Sequence, residues 1–577
     1  MEVFLFQEEG QKFSINTLGQ RVGGLRDLRL SNTHLETICQ EGVRLEKSAE
    51  WKKPKCKCNV VNKDCRSRKY EVIYDTPRMM RKNLFIMNNC MHNEYVGLHN
   101  RYLKETNNTC TYNRAVVDNI LDELVMELKP HWDGILTLEE FMDTKKGKLY
   151  TRYSDAVRKI NKNGYNVNKH NTTSAFVKNE LYDEVKPPRM IINRDTRFNL
   201  DYGRYTRALE HCMMKVPQFS KGKDFHQRGE QFGELVFNEN CWILEGDASK
   251  FEGTQRPELL EHIELGIWKR ILNSKDYAHI FKVFMAKMKK YGQTENGVKF
   301  SFYGCRGSGD MDTGLFNSIL MYVACRYFEL VNNFGWKGKF MVDGDDNVIR
   351  MPKIETYINT FAHFGFDAKL IVRKDYHDVD YCSGKFIKVN NNKFMYVQNI
   401  IKIINNMSIF RKIKYNHCKA QYYHSLGYMY KVIYGELPMF KEFSDFLLRS
   451  TTGQYVSTEI LKELNPVYEE VFKLHENVKP IECSNDIEIE LAMSFDLSPG
   501  YIHNFRQHFE NAFISFRVEE CRRNRMEMTT RNVLEQVEIM KCETLLDGIE
   551  NKFDSSENNF YASETNSNER RCLRKFL

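Results

Sequence analysis

Lys339-Phe-Met-Val342-Asp343-Gly344-Asp345-Asp346-Asn347-Val-Ile349 is written as a tight β-hairpin, with two short apolar runs flanking an acidic turn that contains a glycine. Two adjacent carboxylates, Asp345 and Asp346, therefore stand at a turn. A further acid comes from upstream, because Cys241-Trp-Ile-Leu-Glu-Gly-Asp247 is short and apolar and reads as a buried strand with Asp247 at its tip. Pro257 then opens a segment in which Leu259, Leu260, Ile263, Ile267, Trp268 and Ile271 recur at helical spacing, predicting one amphipathic helix. Acids from a strand end and a hairpin turn, once side by side, form an oxygen-rich site for Mg2+ or Mn2+, since these hard ions take carboxylates together with substrate phosphates. Two such ions about 3.5–4 Å apart suit in-line phosphoryl transfer. By itself, Gly-Asp-Asp fits an ordinary solvent-facing turn equally well.

A third stretch gives the acids a context. Ser308-Gly309-Asp-Met-Asp312-Thr313-Gly-Leu-Phe-Asn317 is a glycine-containing loop running into a helix that carries Leu315, Phe316, Ile319 and Leu320. Such a loop can approach a backbone closely. Asn317 lies one turn beyond Thr313, so the two share a helical face, and its amide offers both a donor and an acceptor to sugar hydroxyls. A purely structural Asn/Thr pair is the competing reading.

The chain of 577 residues is long enough for several subdomains, and with 28% charged residues, 42% hydrophobic residues and a mean hydropathy of −0.56 it falls in the globular range. Disordered, collagenous and membrane classes are thereby excluded. No apolar run approaches the roughly 18 residues of a membrane span, and the start lacks a secretory pattern. Sixteen scattered cysteines suit reduced thiols and a cytoplasmic setting better than a disulfide scaffold. The net charge is +8, and residues 141–230 alone hold 19 Lys and Arg against 10 Asp and Glu. That block reads as a docking surface for phosphates or as a solvated lysine-rich face.

Taken in order, these stretches resemble the motifs of positive-strand viral RNA-dependent RNA polymerases, most closely those of the tombusvirus family and its relatives. Asp247-Ala-Ser-Lys-Phe-Glu252 resembles palm motif A, Ser308–Asn317 motif B, and Val342–Asp346 motif C. Phe176-Val-Lys178-Asn-Glu180 and Lys186-Pro-Pro-Arg189-Met-Ile-Ile-Asn-Arg194 resemble the basic motif F and its flank. Gly365–Lys369 resembles motif D and Asp380–Lys385 motif E, so the similarity covers roughly residues 85–400. The resemblance implies an α+β, right-hand architecture of fingers, palm (antiparallel sheet plus helices) and helical thumb. The expected divisions are an N-terminal extension with fingers contacts at 1–110, fingers at 111–240, palm at 241–400 with a fingers insertion near 275–305, thumb at 401–545 and a polar tail at 546–577.

The resemblance also implies roles. Asp247, Asp345 and Asp346 would hold the metals, and Lys178, Arg189 and Arg194 would neutralise an incoming triphosphate. Ser308, Gly309, Thr313, Asn317 and Glu252 would sense the ribose and place the template, with Lys369 as proton donor to pyrophosphate. Relatives usually carry Asp where this chain has Glu252 and commonly Asn where it has Asp312; the extra methylene of Glu252 alters its reach toward Asn317. The implied partners are an RNA template and product, nucleoside triphosphates and other viral replication proteins. Initiation without a primer, and recruitment in the host cytoplasm to replication membranes by partners, are expected on the same ground.

Three features remain beside this reading. Cys56, Cys58, Cys65, Cys90 and His92 could supply zinc ligands, but their spacing matches no standard finger, and reduced structural cysteines are the alternative. Lys52, Lys53, Lys55, Lys57, Arg66, Arg68 and Lys69 form a basic stretch suited to RNA phosphates or to solvent. Tyr422, Tyr423, Tyr428, Tyr430 and Tyr434 are expected to be core rather than base-stacking residues. Two rival functions are a reverse transcriptase, against which Asn317 argues, and a non-catalytic RNA-binding scaffold, which leaves the ordered carboxylates unexplained.

Overall fold

Trp242–Ala248 is the strand on which the rest of the molecule is arranged. It lies inside a four-stranded sheet whose spatial order is Phe340–Asp343, Asp346–Met351, Trp242–Ala248 and Ala368–Arg373, with every neighbouring pair antiparallel. The computed structural model describes residues 70–516 together with the strand Leu35–Ile38, leaving out 81, 83, 104–108, 237–240, 391–392, 469–482, 499 and 515. The basic stretch 52–69, Cys56, Cys58, Cys65 and the tail 546–577 lie outside the described residues.

Alternation along this sheet explains why its strands read as apolar runs. Leu244, Phe340, Val342 and Ile349 face one core, while Ile243, Met341 and Val348 face another. Side chains of a strand alternate between faces, so a sheet covered on both sides must be apolar at consecutive positions. The first core is built on the helix Thr313–Val331, whose residues Leu315 to Glu329 are all buried, as expected of a helix that is apolar nearly all round. The second core joins Phe232 and Phe386 to the aromatics of the helices Lys419–Tyr434 and Phe440–Ser450. Tyr422, Tyr423, Tyr430 and Tyr434 are buried there, as expected from their spacing.

A second four-stranded sheet has the order Met190–Arg194, Thr173–Val177, Lys289–Thr294 and Lys299–Tyr303, with one parallel pair in its middle. The hairpin 289–303 thus leaves the central sheet after Asp247 and is built into a sheet begun far upstream. Its own small core contains Ala175, Val177, Met190, Ile192, Phe300 and Phe302. The molecule is therefore of mixed helix and sheet, with antiparallel pairing at its centre.

The segment opening at Pro257 departs from the single helix its periodicity predicts. It is a short helix, Pro257–Leu260, then a π-helical turn, Glu261–Leu265, then the helix Gly266–Ile271. Leu259, Leu260, Ile263, Ile267 and Trp268 are buried as expected. The wider turn shifts the helical phase and brings Glu264 inward as well, where it meets Lys287 and Arg306.

Candidate active site

The acidic turn is held by geometry that its sequence dictates. Asp343 and Asp346 are paired across the hairpin, leaving Gly344 and Asp345 as a two-residue loop. Gly344 has φ 70° with open space around it, so backbone conformation rather than crowding requires glycine at the first central position, as in II′ hairpin loops. The Gly344 amide donates to Ser318 Oγ at 2.9 Å, and that hydroxyl itself donates to the Gly314 carbonyl, so the Thr313–Val331 helix pins the turn from beneath.

Asp247 comes from the neighbouring strand. Gly246 is paired with Asn347, so Asp247 lies beside the end of the hairpin strand that begins at Asp346. With residues rising about 3.3 Å and strands about 4.8 Å apart, this register brings the Asp247 and Asp345 Cα atoms within roughly 8 Å. On its other side Asp247 is paired with Lys369, which puts both side chains on the same face of the sheet.

The charges around this turn are not balanced. Asp343 is matched by Arg228 from the helix Phe225–Val236, at 2.7 Å. Asp247, Asp345 and Asp346 form no ion pair among the described residues. Burial, followed by the charges of Asp345, Asp343 and Asp247, pushes the Asp346 carboxyl up to about 7. Asp345 is also raised, by burial and then by the charge of Glu252, although Arg101 and Arg189 pull it the other way. A carboxyl held up by burial and by neighbouring carboxylates, as at Asp346, marks a donor set short of cations, and oxygen donors in this state fit Mg2+ or Mn2+. Among the described residues no three His, Cys, Asp or Glu side chains form a ready-made cage. Such an open arrangement suits ions that take one or two carboxylates and complete their shell with water and substrate phosphates.

The residues expected to sense the sugar divide into two groups. Asn317 is almost buried and accepts a hydrogen bond at Oδ1 from Gln255 Nε2, at 2.8 Å. Gln255 Oε1 in turn accepts from Arg306 Nε at 2.9 Å. Glu252 is ion-paired with Arg101. The others are engaged by the protein's own groups. Thr313 Oγ1 donates to the carbonyls of Gly307 and Asp310, at 2.7 and 2.9 Å, because the loop's return requires those acceptors to be closed. Ser308 Oγ donates to the Met190 carbonyl and accepts from Tyr102 Oη. Gly309 does approach a backbone closely, but it is that of the chain's own strand Met190–Arg194, where an added Cβ would lie 2.7 Å from the Ile192 carbonyl oxygen.

The basic residues divide in the same way. Lys178 and Arg189 are partly exposed, face each other through the Lys178 amide and the Arg189 carbonyl, and flank Glu180. Arg194 is corrected: its side chain is 1% exposed and bonded to Asp310 Oδ1 at 2.6 Å and to the Lys287 carbonyl at 2.7 Å. A guanidinium so enclosed holds the loop before the Thr313 helix and is closed to a triphosphate. Asp312 is likewise structural, buried against Lys287, Arg306 and Tyr202; the charges of Lys287 and Arg306, with the hydrogen bond from Tyr202, hold its carboxyl far below the usual range despite burial. Cys90 is buried at the start of the helix Met91–Leu98, and no metal-binding cluster with His92 occurs among the described residues.

Gln255, Arg101, Arg228 and Ser318, which contact residues of the candidate site, are missed by sequence reasoning. Each acts across the fold, on a partner 26 to 151 residues away, and no local spacing signals it.

The sequence model of the family described as "Viral RNA dependent RNA polymerase" matches residues 59–517. This chain belongs to the viral RNA-dependent RNA polymerase family. It is similar to the RNA-directed RNA polymerases of groundnut rosette virus (strain MC1), 28% identical over 236 residues, covering 38% of this chain and 27% of that protein. To that of melon necrotic spot virus it is 22% identical over 399 residues, covering 62% and 48%. To that of tobacco necrosis virus (strain D) it is 27% identical over 292 residues, covering 46% and 39%. The aligned part thus spans less than half the length of these viral RNA-dependent RNA polymerases.

Proposed function

We propose that the chain is a template-directed RNA polymerase that joins nucleoside triphosphates by two-metal phosphoryl transfer and starts without a primer. The observation that carries this reading is the adjacency of Asp247 to the Asp345-Asp346 turn, with carboxylates short of matching cations. Asp247 and Asp345 would hold divalent ions, with Asp346 beside them. When bound, Mg2+ or Mn2+ favours deprotonation of the attacking 3′-hydroxyl and offsets charge on the departing pyrophosphate. Arg189, whose charge lowers the Asp345 pKa, would meet the triphosphate, with Lys178 beside it. Lys369, level with Asp247 on the same sheet face, would return a proton to the leaving group.

In this reading the sheet of residues 173–194 and 289–303 serves as fingers, the central sheet with its helices as palm, and the helices from Lys419 onward as thumb. Template and product RNA, nucleoside triphosphates and other viral replication proteins are its partners, in the host cytoplasm and at membranes reached through those partners. No helix among the described residues is long and apolar enough to cross a membrane.

The test is incubation of the purified chain with an RNA template, four NTPs and Mg2+, without primer, beside Asp345→Ala. Full-length product from the parent and none from the variant is expected. Retained synthesis by the variant overturns the metal assignment, and preference for dNTPs overturns the choice of product.

A further inference from the structure

We propose that Gln255 is a positioning residue for sugar selection: it fixes the amide of Asn317 so that Nδ2 is left as the hydrogen-bond donor offered to a ribose 2′-oxygen. The inference rests on the polymerase reading and goes beyond it, because neither the motifs nor the relatives assign a role to Gln255.

The argument starts at Arg306, which can only donate. Its guanidinium is fully buried and occupied on three sides, by Asp312 at 2.7 Å, by Glu264, and by Gln255 Oε1 at 2.9 Å. The amide oxygen of Gln255 must therefore point at Arg306, and its nitrogen must point the other way. That nitrogen donates to Asn317 Oδ1 at 2.8 Å, so Asn317 must present its oxygen to Gln255 and its nitrogen away from it. Amide orientation, which two isolated Asn and Gln side chains leave open, is settled here by a chain of donors beginning at a cation. Asn317 Nδ2 has no partner among the described residues.

Location adds the second element. Ser318, the next residue, anchors the Gly344 amide in the acidic turn, so the Asn317 amide is held in fixed relation to Asp345. Glu252 is ion-paired with Arg101, and the side chain hydrogen-bonded to Asn317 is that of Gln255. A 2′-hydroxyl completes the remaining donor, and a 2′-deoxy sugar leaves it unsatisfied. Such a mismatch is worth roughly a 10-fold discrimination or more.

The experiment compares kcat/KM for an NTP, the matching dNTP and the 2′-fluoro-2′-deoxy analogue on one RNA template. In the parent chain the 2′-fluoro substrate, which accepts a hydrogen bond and cannot donate one, should be used several-fold better than the dNTP. Equal use overturns the assigned orientation without any variant. Gln255→Leu should lower the NTP-over-dNTP ratio about 10-fold, with the loss falling on NTP. Gln255→Leu combined with Asn317→Ala should be no less selective than Asn317→Ala alone, since the two act as one unit. A folded, active Gln255→Leu with an unchanged ratio, or fully additive effects, overturns the proposal. Absence of synthesis by the parent chain from NTPs would instead sink the polymerase reading itself, so the two failures are distinguishable.

Discussion

Two clusters of charge in this molecule use the same side chains to opposite ends. In the interior, Glu264 and Asp312 meet Lys287 and Arg306, two negatives against two positives, all nearly sealed from water. At the hairpin end of the central sheet, Asp343 and Glu252 are matched by Arg228 and Arg101, while Asp247, Asp345 and Asp346 are left without a paired cation. Closed neutrality is what a structural network needs, because an uncompensated buried charge is costly. On the function proposed above, the acidic turn would keep its deficit of cations in order to receive ions and phosphates.

The comparison can be broken from its larger side first. Asp345→Ala should abolish synthesis while RNA binding, measured by filter retention, stays near the parent value. Arg306→Leu should strike the closed cluster instead, leaving Glu264 and Asp312 to share Lys287. It should lower stability by about 3–5 kcal/mol, seen as a depressed unfolding midpoint or loss of soluble protein. If Arg306→Leu were harmless to stability, the interior network would not be the closed unit described. Arg189→Ala should raise KM for NTP and lower turnover, together about 10–100-fold in kcat/KM, and unchanged kinetics would remove it from the open cluster.

Smaller effects sharpen the contrast. Ser318→Ala deletes the hydroxyl beneath Gly344 and should cost about 1 kcal/mol of positioning, a several-fold lower turnover with little change in KM. The smallest is a pH effect at a separate pair, His279 with Asp201. Burial alone would lower the His279 pKa, but the hydrogen bond and charge of Asp201 outweigh it and leave it raised above 6.5. Stabilisation from this pair is therefore fully present below about pH 6.5 and fades as pH rises through the raised folded value. His279→Gln should lower the melting temperature by about one or two degrees at pH 6 and by less at pH 9.

What could be read from the sequence follows the range of the interactions. The hairpin around Asp345 was legible because a two-residue loop with glycine first is a local device, and the Asp247 strand was legible as an apolar run ending in an acid. Tyr422 and Tyr434 were correctly read as core from spacing alone. Arg194 was not distinguishable from Arg189, because nothing near either residue reveals that Asp310, 116 positions away, encloses one of them. Thr313 and Ser308 stand in the right motif, yet their hydroxyls are used by backbone carbonyls that only the folded loop brings within reach. The link from Gln255 to Asn317 was illegible for the same reason, spanning 62 positions and depending on Arg306.

The hairpin 289–303 also has a kinetic consequence. Its parallel partner strand, Thr173–Val177, is paired through Thr173 and Gly292, so closing that contact means bringing together positions separated by well over a hundred residues of chain. Neither sheet can be completed before the stretch joining them has been made and threaded back, and loop closure of this length slows folding. A ribosome extending this chain must therefore hold an unfinished sheet edge in solution until residue 303 has emerged, an interval in which helper proteins that cover bare strands would matter most.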